Sequence, residues 1–176
     1  LIWHKPTDWE DLHEFLPMAE EAGITVFVYL VPPSETPAVH PESSFPYSEP
    51  FRLDYVRWAE EIATLSLEHE NLVGWVMDDF WGNVESGFFT EEYVSEFQEA
   101  AKAINPALDF YVLLYPTRRQ IGAEFAQRFG PIVDGVVAAY PRDEQAIIDA
   151  QPHLTDSYHQ PARLQLTYPG RTTSMA

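Results

Sequence analysis

Residues Leu72 to Asp79 read LVGWVMDD, and this stretch decides the fold class. From Leu72 to Met77 the run is apolar throughout, with no alternation of polar and apolar positions. A strand with one wet face alternates; an unbroken apolar run belongs to a strand covered on both faces, as in a parallel sheet. Two carboxylates follow at its C-terminal end, where parallel α/β folds place their chemistry.

Four more segments have the same character. They are ITVFVYLV at Ile24 to Val31, closed by Pro32-Pro33, then FYVLLY at Phe110 to Tyr115, GVVAAY at Gly135 to Tyr140 and RLQLTY at Arg163 to Tyr168. Helical spacing of apolar residues fills the intervals. Thr7 to Ala22 carries Leu12, Phe15, Leu16 and Ala19, with Thr7 or Asp8 as cap and Gly23 as stop. Phe51 to His69, a helix capped by Thr90 and running to about Ile104, Ala123 to Phe129, and Glu144 to Ala150 complete the set. The stretch after Asp79 reads as a loop. Pro32 to Pro50 contains six prolines, which argues for a stiff loop with a functional part to play.

Tyr115-Pro116, Tyr140-Pro141 and Tyr168-Pro169 close three successive strands, 25 and 28 residues apart. Equivalent chemistry at equivalent strand ends points to a barrel mouth. No GxGxxG or P-loop follows any strand, which weakens nucleotide binding. A (β/α)8 barrel needs about 250 residues, and this chain has 176. The expectation is therefore an α/β chain of (β/α)8 TIM-barrel type that is partial, with about five parallel strands. Residues 1–176 form one domain, the central part of a larger barrel lacking roughly its first two strands and its last. A self-contained five-stranded parallel sheet is the competing architecture. The chain opens on Leu1 with no signal pattern behind it, so it is expected to be processed or excerpted.

Composition excludes several function classes. Ten Lys and Arg against 28 Asp and Glu give a net charge of −18, a poor partner for phosphate backbones, so no nucleic acid is expected. No apolar run reaches the roughly 20 residues of a membrane span, so no membrane is expected either. There is no cysteine, which removes thiolate catalysis, disulfides and Cys-ligated metals. Aromatic residues make up 14%, a surplus that suits either carbohydrate handling or an aromatic core.

Candidate site residues are those just past each strand. Asp78 and Asp79 come first, since two carboxylates on an apolar strand are costly unless paired or used. Strand alternation sends one to the mouth and the other toward the helices, with Asp79 slightly favoured for chemistry and the register open. Glu35 and Glu85 are further carboxylates at strand exits. Trp81, Tyr115, Tyr140 and Tyr168 offer ring faces to a sugar, or pack the top of the barrel. Asn83 joins them as a polar contact. Arg118, Arg119, Arg142 and Arg171 follow strands in a chain short of cations, which suits an acidic substituent or neutralisation of nearby aspartates. His153, Asp156 and His159 have loose metal-ligand spacing in a polar connection, and no metal site is assigned to them.

WVMDDFWGN, with YVRWAEEIATLSLEHENLVG before it and FTEEYVSEFQEAAKAINPALDFYVLLYP after it, resembles the glycoside-hydrolase-like TIM-barrel proteins of bacteria. The resemblance implies a catalytic carboxylate at the end of strand four, a role that falls on Asp79 or Asp78. In one large group its partner ends strand seven, but here that strand reads LQLTYPG and has no carboxylate. Other members pair strands four and six, which makes Asp143, or less favourably Glu144, the second carboxylate.

Three functions follow. The first is a glycoside hydrolase acting on poly- or oligosaccharide through Asp78, Asp79 and Asp143. Trp81, Asn83, Tyr115, Arg118, Tyr140, Arg142, Tyr168 and Arg171 would bind its substrate, with an acidic sugar among the candidates, and no cofactor is called for. The second is a carbohydrate-binding barrel without chemistry. The third is a metal-dependent hydrolase or lyase using the Asp78-Asp79 pair with His4 or His40. Oligomeric state is open, since a partial barrel exposes sheet edges that a second copy would cover. Compartment is open too, with a bacterial secreted or periplasmic setting closest to the resemblance.

Overall fold

The computed structural model describes residues 6–39, 41, 47–115, 123–139, 163–168 and 171–174. The chain alternates α1 (Asp8–Glu21), β1 (Val26–Leu30), a 3-10 turn (Pro33–Glu35), α2 (Tyr55–Glu68), β2 (Leu72–Met77), α3 (Phe80–Glu85), α4 (Glu91–Ile104), β3 (Asp109–Leu114), α5 (Ala123–Phe129) and β4 (Gly135–Ala139), then β5 (Arg163–Tyr168) and β6 (Arg171–Ser174).

Local chemistry sets the helix boundaries. The first turn of α1 carries Asp8, Glu10 and Asp11 against the positive end of the helix dipole. Trp9, Leu12, Leu16 and Ala19 form its buried stripe, and Gly23 leaves the helix at φ +68°. Position Thr7 precedes the helix without a side-chain capping bond. The second helix starts later than the expected Phe51, because the Asp54 carboxylate accepts the Arg57 amide at 3.0 Å and Arg52 turns the chain at φ 52°. The Thr90 hydroxyl accepts the Tyr93 amide at 3.2 Å and caps α4 as expected.

The six strands lie in sequence order, β1-β2-β3-β4-β5-β6. Each pair from β1 to β5 is parallel, and β6 pairs antiparallel with β5. The sequence reading did not foresee β6, nor the helix Phe80–Glu85 where it placed a loop. The expected helix Glu144 to Ala150 lies outside the described residues.

Each of the five α-helices among the described residues contributes to a single apolar cluster on one face of the sheet. Leu16 of α1, Trp58 and Ile62 of α2, Phe80 of α3, Phe97 of α4 and Phe125 and Phe129 of α5 meet Val28, Leu30, Trp75, Met77, Phe110, Val112, Leu114 and Val136 there. The opposite face has its own smaller cluster of Val76, Tyr111, Leu113 and Val137, with Phe27, Tyr29 and Tyr115 packed against it. Sequential parallel strands joined by crossovers of one hand put the helices on one side, and this arrangement is the result. The shown architecture is thus an α/β chain with helices between parallel strands. No helix among the described residues is long and apolar enough to cross a membrane.

At the lower edge of the sheet, Asp134 ties three elements. Its Oδ2 accepts the Phe110 amide at 2.8 Å and Gln98 Nε2 at 2.9 Å, and Lys102 Nζ lies 3.0 Å away. On the second face, Gly74 makes room for its neighbours: a Cβ there would sit 2.7 Å from the Asp109 carbonyl oxygen and 2.9 Å from the Phe27 ring. Since one obstacle is backbone, Gly74→Ala is expected to lower stability by about 1–3 kcal/mol. Urea unfolding checks this, with an unchanged midpoint as the contrary result.

Candidate active site

The C-terminal ends of β1 and β2 lie side by side, because Tyr29 registers with Val76 and Leu30 with Met77. The Asp78 amide continues the ladder, donating to the Leu30 carbonyl at 3.2 Å. Alternation along β2 therefore answers the question the sequence left open. Trp75 and Met77 face the helices, while Val76 faces the smaller cluster with Tyr29. Asp78 follows the parity of Val76, and its carboxylate meets the Tyr29 hydroxyl. Asp79, the residue slightly favoured from sequence, leaves the strand at φ 36°, ψ 42° and opens α3. A left-handed conformation is unusual for any residue but glycine, and Asp is among those that tolerate it. The Asp79 amide donates to Asp78 Oδ1 at 2.7 Å, which helps hold that turn.

The Asp79 carboxylate folds back over its own helix. A Cβ on Gly82 would meet Asp79 Oδ2 at 2.9 Å, so only glycine leaves the space. The same oxygen accepts the Ser34 hydroxyl at 3.2 Å. Ser34 belongs to the 3-10 turn after β1, and that turn also carries Glu35. Asn83, fully buried at 0% exposure, joins the turn to α3. Its Oδ1 accepts the Ser34 amide at 2.9 Å, and its Nδ2 donates to Ser34 Oγ at 2.8 Å and to the Asp79 carbonyl at 2.9 Å.

Three carboxylates thus gather at two neighbouring strand exits: Glu35, Asp78 and Asp79. Burial pushes Glu35 above its ordinary value, and the charges of Asp78 and Asp79 push the same way. Burial also raises Asp79; the Ser34 hydrogen bond opposes this, and the charge of Asp78 adds to it. Burial raises the Tyr29 hydroxyl well above its ordinary range. Its bond to Asp78 and the charges of Asp78, Tyr115 and Glu35 act in the same direction. Glu35 and Asp79 therefore hold their protons to higher pH than in water, the direction of shift that marks acid–base sites.

Several expected site residues take other roles. Trp81 is 4% exposed and packs in the helix-side cluster, edge-on to Phe125 at 6.2 Å and to Phe129 at 6.5 Å. The Arg128 guanidinium lies 5.8 Å from its ring centre. Trp81 therefore offers no open face to a sugar, because α3 turns it toward the helices. Asn83 is likewise no substrate contact, since its amide is used within the fold. Tyr115 does lie on the face of Tyr29 and Asp78, packed against the smaller cluster.

Asp143, Arg118, Arg119, Tyr140, Arg142, His4, His40, His153, Asp156 and His159 lie outside the described residues, as does Glu144. Tyr168 and Arg171 are described in backbone only; they pair in register at the junction of β5 and β6. Among the described residues, no group of three His, Asp or Glu is arranged to hold a metal ion. Sequence reasoning passed over Tyr29 and Ser34, and it noted Glu35 without assigning it a role. Parity would have found Tyr29, which precedes the exit of its strand as Val76 precedes Asp78.

A scan against protein-family models finds no match, and neither does a search of curated protein sequences.

Proposed function

We propose that this chain is the central part of a (β/α)8-type barrel and carries the acid–base site of a glycoside hydrolase acting on poly- or oligosaccharide. One observation carries the activity: three carboxylates converge at two adjacent strand ends, two of them, Glu35 and Asp79, raised by burial and by the charge of Asp78. In this assignment Glu35 is the general acid and Asp78, hydrogen-bonded by Tyr29, is the second carboxylate. Such a pair suits glycosidic cleavage, where one carboxyl protonates the leaving oxygen and the other acts as nucleophile or activates water. Tyr29 and Tyr115 supply aromatic surface beside them.

Support for the barrel is the strand order, the parallel pairing through β5, and the placing of every α-helix on one face. The smaller cluster would be the barrel interior. Antiparallel β6 departs from that pattern.

The test is release of reducing ends from neutral and acidic polysaccharides, comparing the parent with the Asp78→Asn, Asp79→Asn double variant, with and without chelator. Release that vanishes in the variant and ignores chelator is expected. Release that survives both substitutions would overturn the assignment, and release that needs metal would move it to a metal-dependent hydrolase. Sugar binding without release, in both parent and variant, would identify a binding barrel instead.

A further inference from the structure

The clamp between Ser34 and Asn83 has a direction, and the direction has a chemical consequence. A backbone amide only donates, so the Asn83 atom 2.9 Å from the Ser34 amide is its oxygen. A backbone carbonyl only accepts, so the Asn83 atom 2.9 Å from the Asp79 carbonyl is its nitrogen. The amide orientation is fixed twice over. That nitrogen also lies 2.8 Å from Ser34 Oγ and donates to it. Ser34 Oγ has one hydrogen of its own. With Asn83 filling an acceptor position on that oxygen, the hydrogen goes to the remaining partner, Asp79 Oδ2 at 3.2 Å.

A hydrogen bond donated to a carboxylate oxygen favours its ionised form, and this one opposes the rise that burial and the charge of Asp78 give Asp79. Among the described residues, the ionisable groups about Asp79 are Asp78 beside it in the chain, Glu35 on the facing turn, and Tyr29 behind Asp78, and none of these is a cation. Two neighbouring carboxylates cannot both hold full charge cheaply, so the one without an obligate donor takes the proton.

We infer that Asn83 is a positioning residue which, through Ser34, biases Asp79 toward the ionised form relative to Glu35, so that Glu35 is the first of the two to hold a proton. This deepens the acid–base assignment above and rests on it for its meaning in catalysis. The protonation pattern is a property of the free protein, and it can be measured where no substrate is known.

The measurement is carbon-detected NMR titration of the side-chain carboxyls of Glu35 and Asp79 in the full chain. In the parent, Asp79 is expected to titrate below Glu35. Ser34→Ala removes the donated hydrogen and leaves the Ser34 amide bond to Asn83 in place; the Asp79 midpoint should then rise by about one pH unit. Glu35 should fall in response, because its neighbour is neutral over more of the range. Asn83→Asp, which turns the Ser34 hydroxyl toward the new carboxylate, should raise Asp79 in the same way. Ser34→Thr keeps a hydroxyl and should restore the parent order. An Asp79 midpoint unmoved by Ser34→Ala, in a protein with parent-like amide spectra, would overturn the inference, as would a parent in which Asp79 titrates above Glu35. Because Ser34 is only half-buried, its alanine variant keeps the test available if Asn83→Asp does not fold. Failure of the polysaccharide screen would leave these titrations standing, so the two proposals fail separately.

Discussion

Glu35→Gln is expected to lower kcat on any accepted polysaccharide by about 10²–10⁴-fold while raising the melting temperature at neutral pH. The rate effect follows from removing the proton donor; a positioned general acid contributes about that factor. The stability effect follows from linkage. Burial first, and then the charges of Asp78 and Asp79, raise Glu35 above its ordinary value of 4.5. The folded state therefore binds that proton more tightly than the unfolded chain does. The stabilising contribution is fully present below the ordinary value and is lost as pH rises through the raised one. Above the ordinary value the raised Glu35 costs the fold stability, and a neutral glutamine relieves that cost. The gain in melting temperature should shrink toward zero near pH 4, where the parent is protonated too. Exposed Glu21 on α1 is the control, since Glu21→Gln should change neither quantity. A variant less stable than the parent at pH 7 would show that Glu35 is held by favourable contacts and is no strained acid. Activity unchanged in Glu35→Gln would remove it from the chemistry.

The same residue marks how far the sequence could be read. Strand positions were legible because burial on both faces leaves a composition signature. VFVYL, LVGWVM and GVVAA lie within or beside the runs that announced them. Helix α4 was legible at both ends, since Thr90 and Asn105-Pro106 are local signals that need no tertiary partner. Helix α3 was not. Its residues Phe80 and Trp81 are buried against Phe125 and Phe129 of α5, and a six-residue helix is too short to show a period. Missing it misplaced two site candidates, because α3 carries Trp81 into the core and Asn83 under the Ser34 turn. Which of Asp78 and Asp79 continues the ladder was not legible for a related reason. Parity from Gly74 through Val76 to Asp78 was available in the sequence, but which parity faced the helices depended on the β1 pairing and its shift between Val26 and Phe27. The carboxylate cluster itself is a tertiary fact. Glu35 and Asp78 are 43 positions apart, and only parallel pairing of β1 with β2 joins their turns.

Trp75→Ala is expected to cost about 3–5 kcal/mol, the range for truncating a large buried aromatic. Trp75 is 0% exposed, stacks on Phe110 with ring centres 4.3 Å apart and meets Phe97 edge-on at 5.5 Å. Its ring packs β2 against Phe110 of β3 and Phe97 of α4. Trp75→Phe should behave quite differently. The indole Nε1 is buried and has no hydrogen-bond partner among the described residues. A buried donor left unpaired costs about 1–3 kcal/mol, so removing it offsets part of the volume lost. Phenylalanine also keeps a ring to stack on Phe110. The loss for Trp75→Phe is therefore expected to stay below about 2 kcal/mol, well short of the alanine value. Urea unfolding of the two variants beside the parent measures both. Equal losses would mean that the indole nitrogen is satisfied in solution, by a buried water for example. The comparison bears on the site as well, because Trp75 anchors the strand whose next outward positions are Val76 and Asp78. If β2 is fixed by ring stacking and not by the indole donor, Trp75→Phe should leave turnover near the parent level. Trp75→Ala should lower it even at temperatures where the variant remains folded.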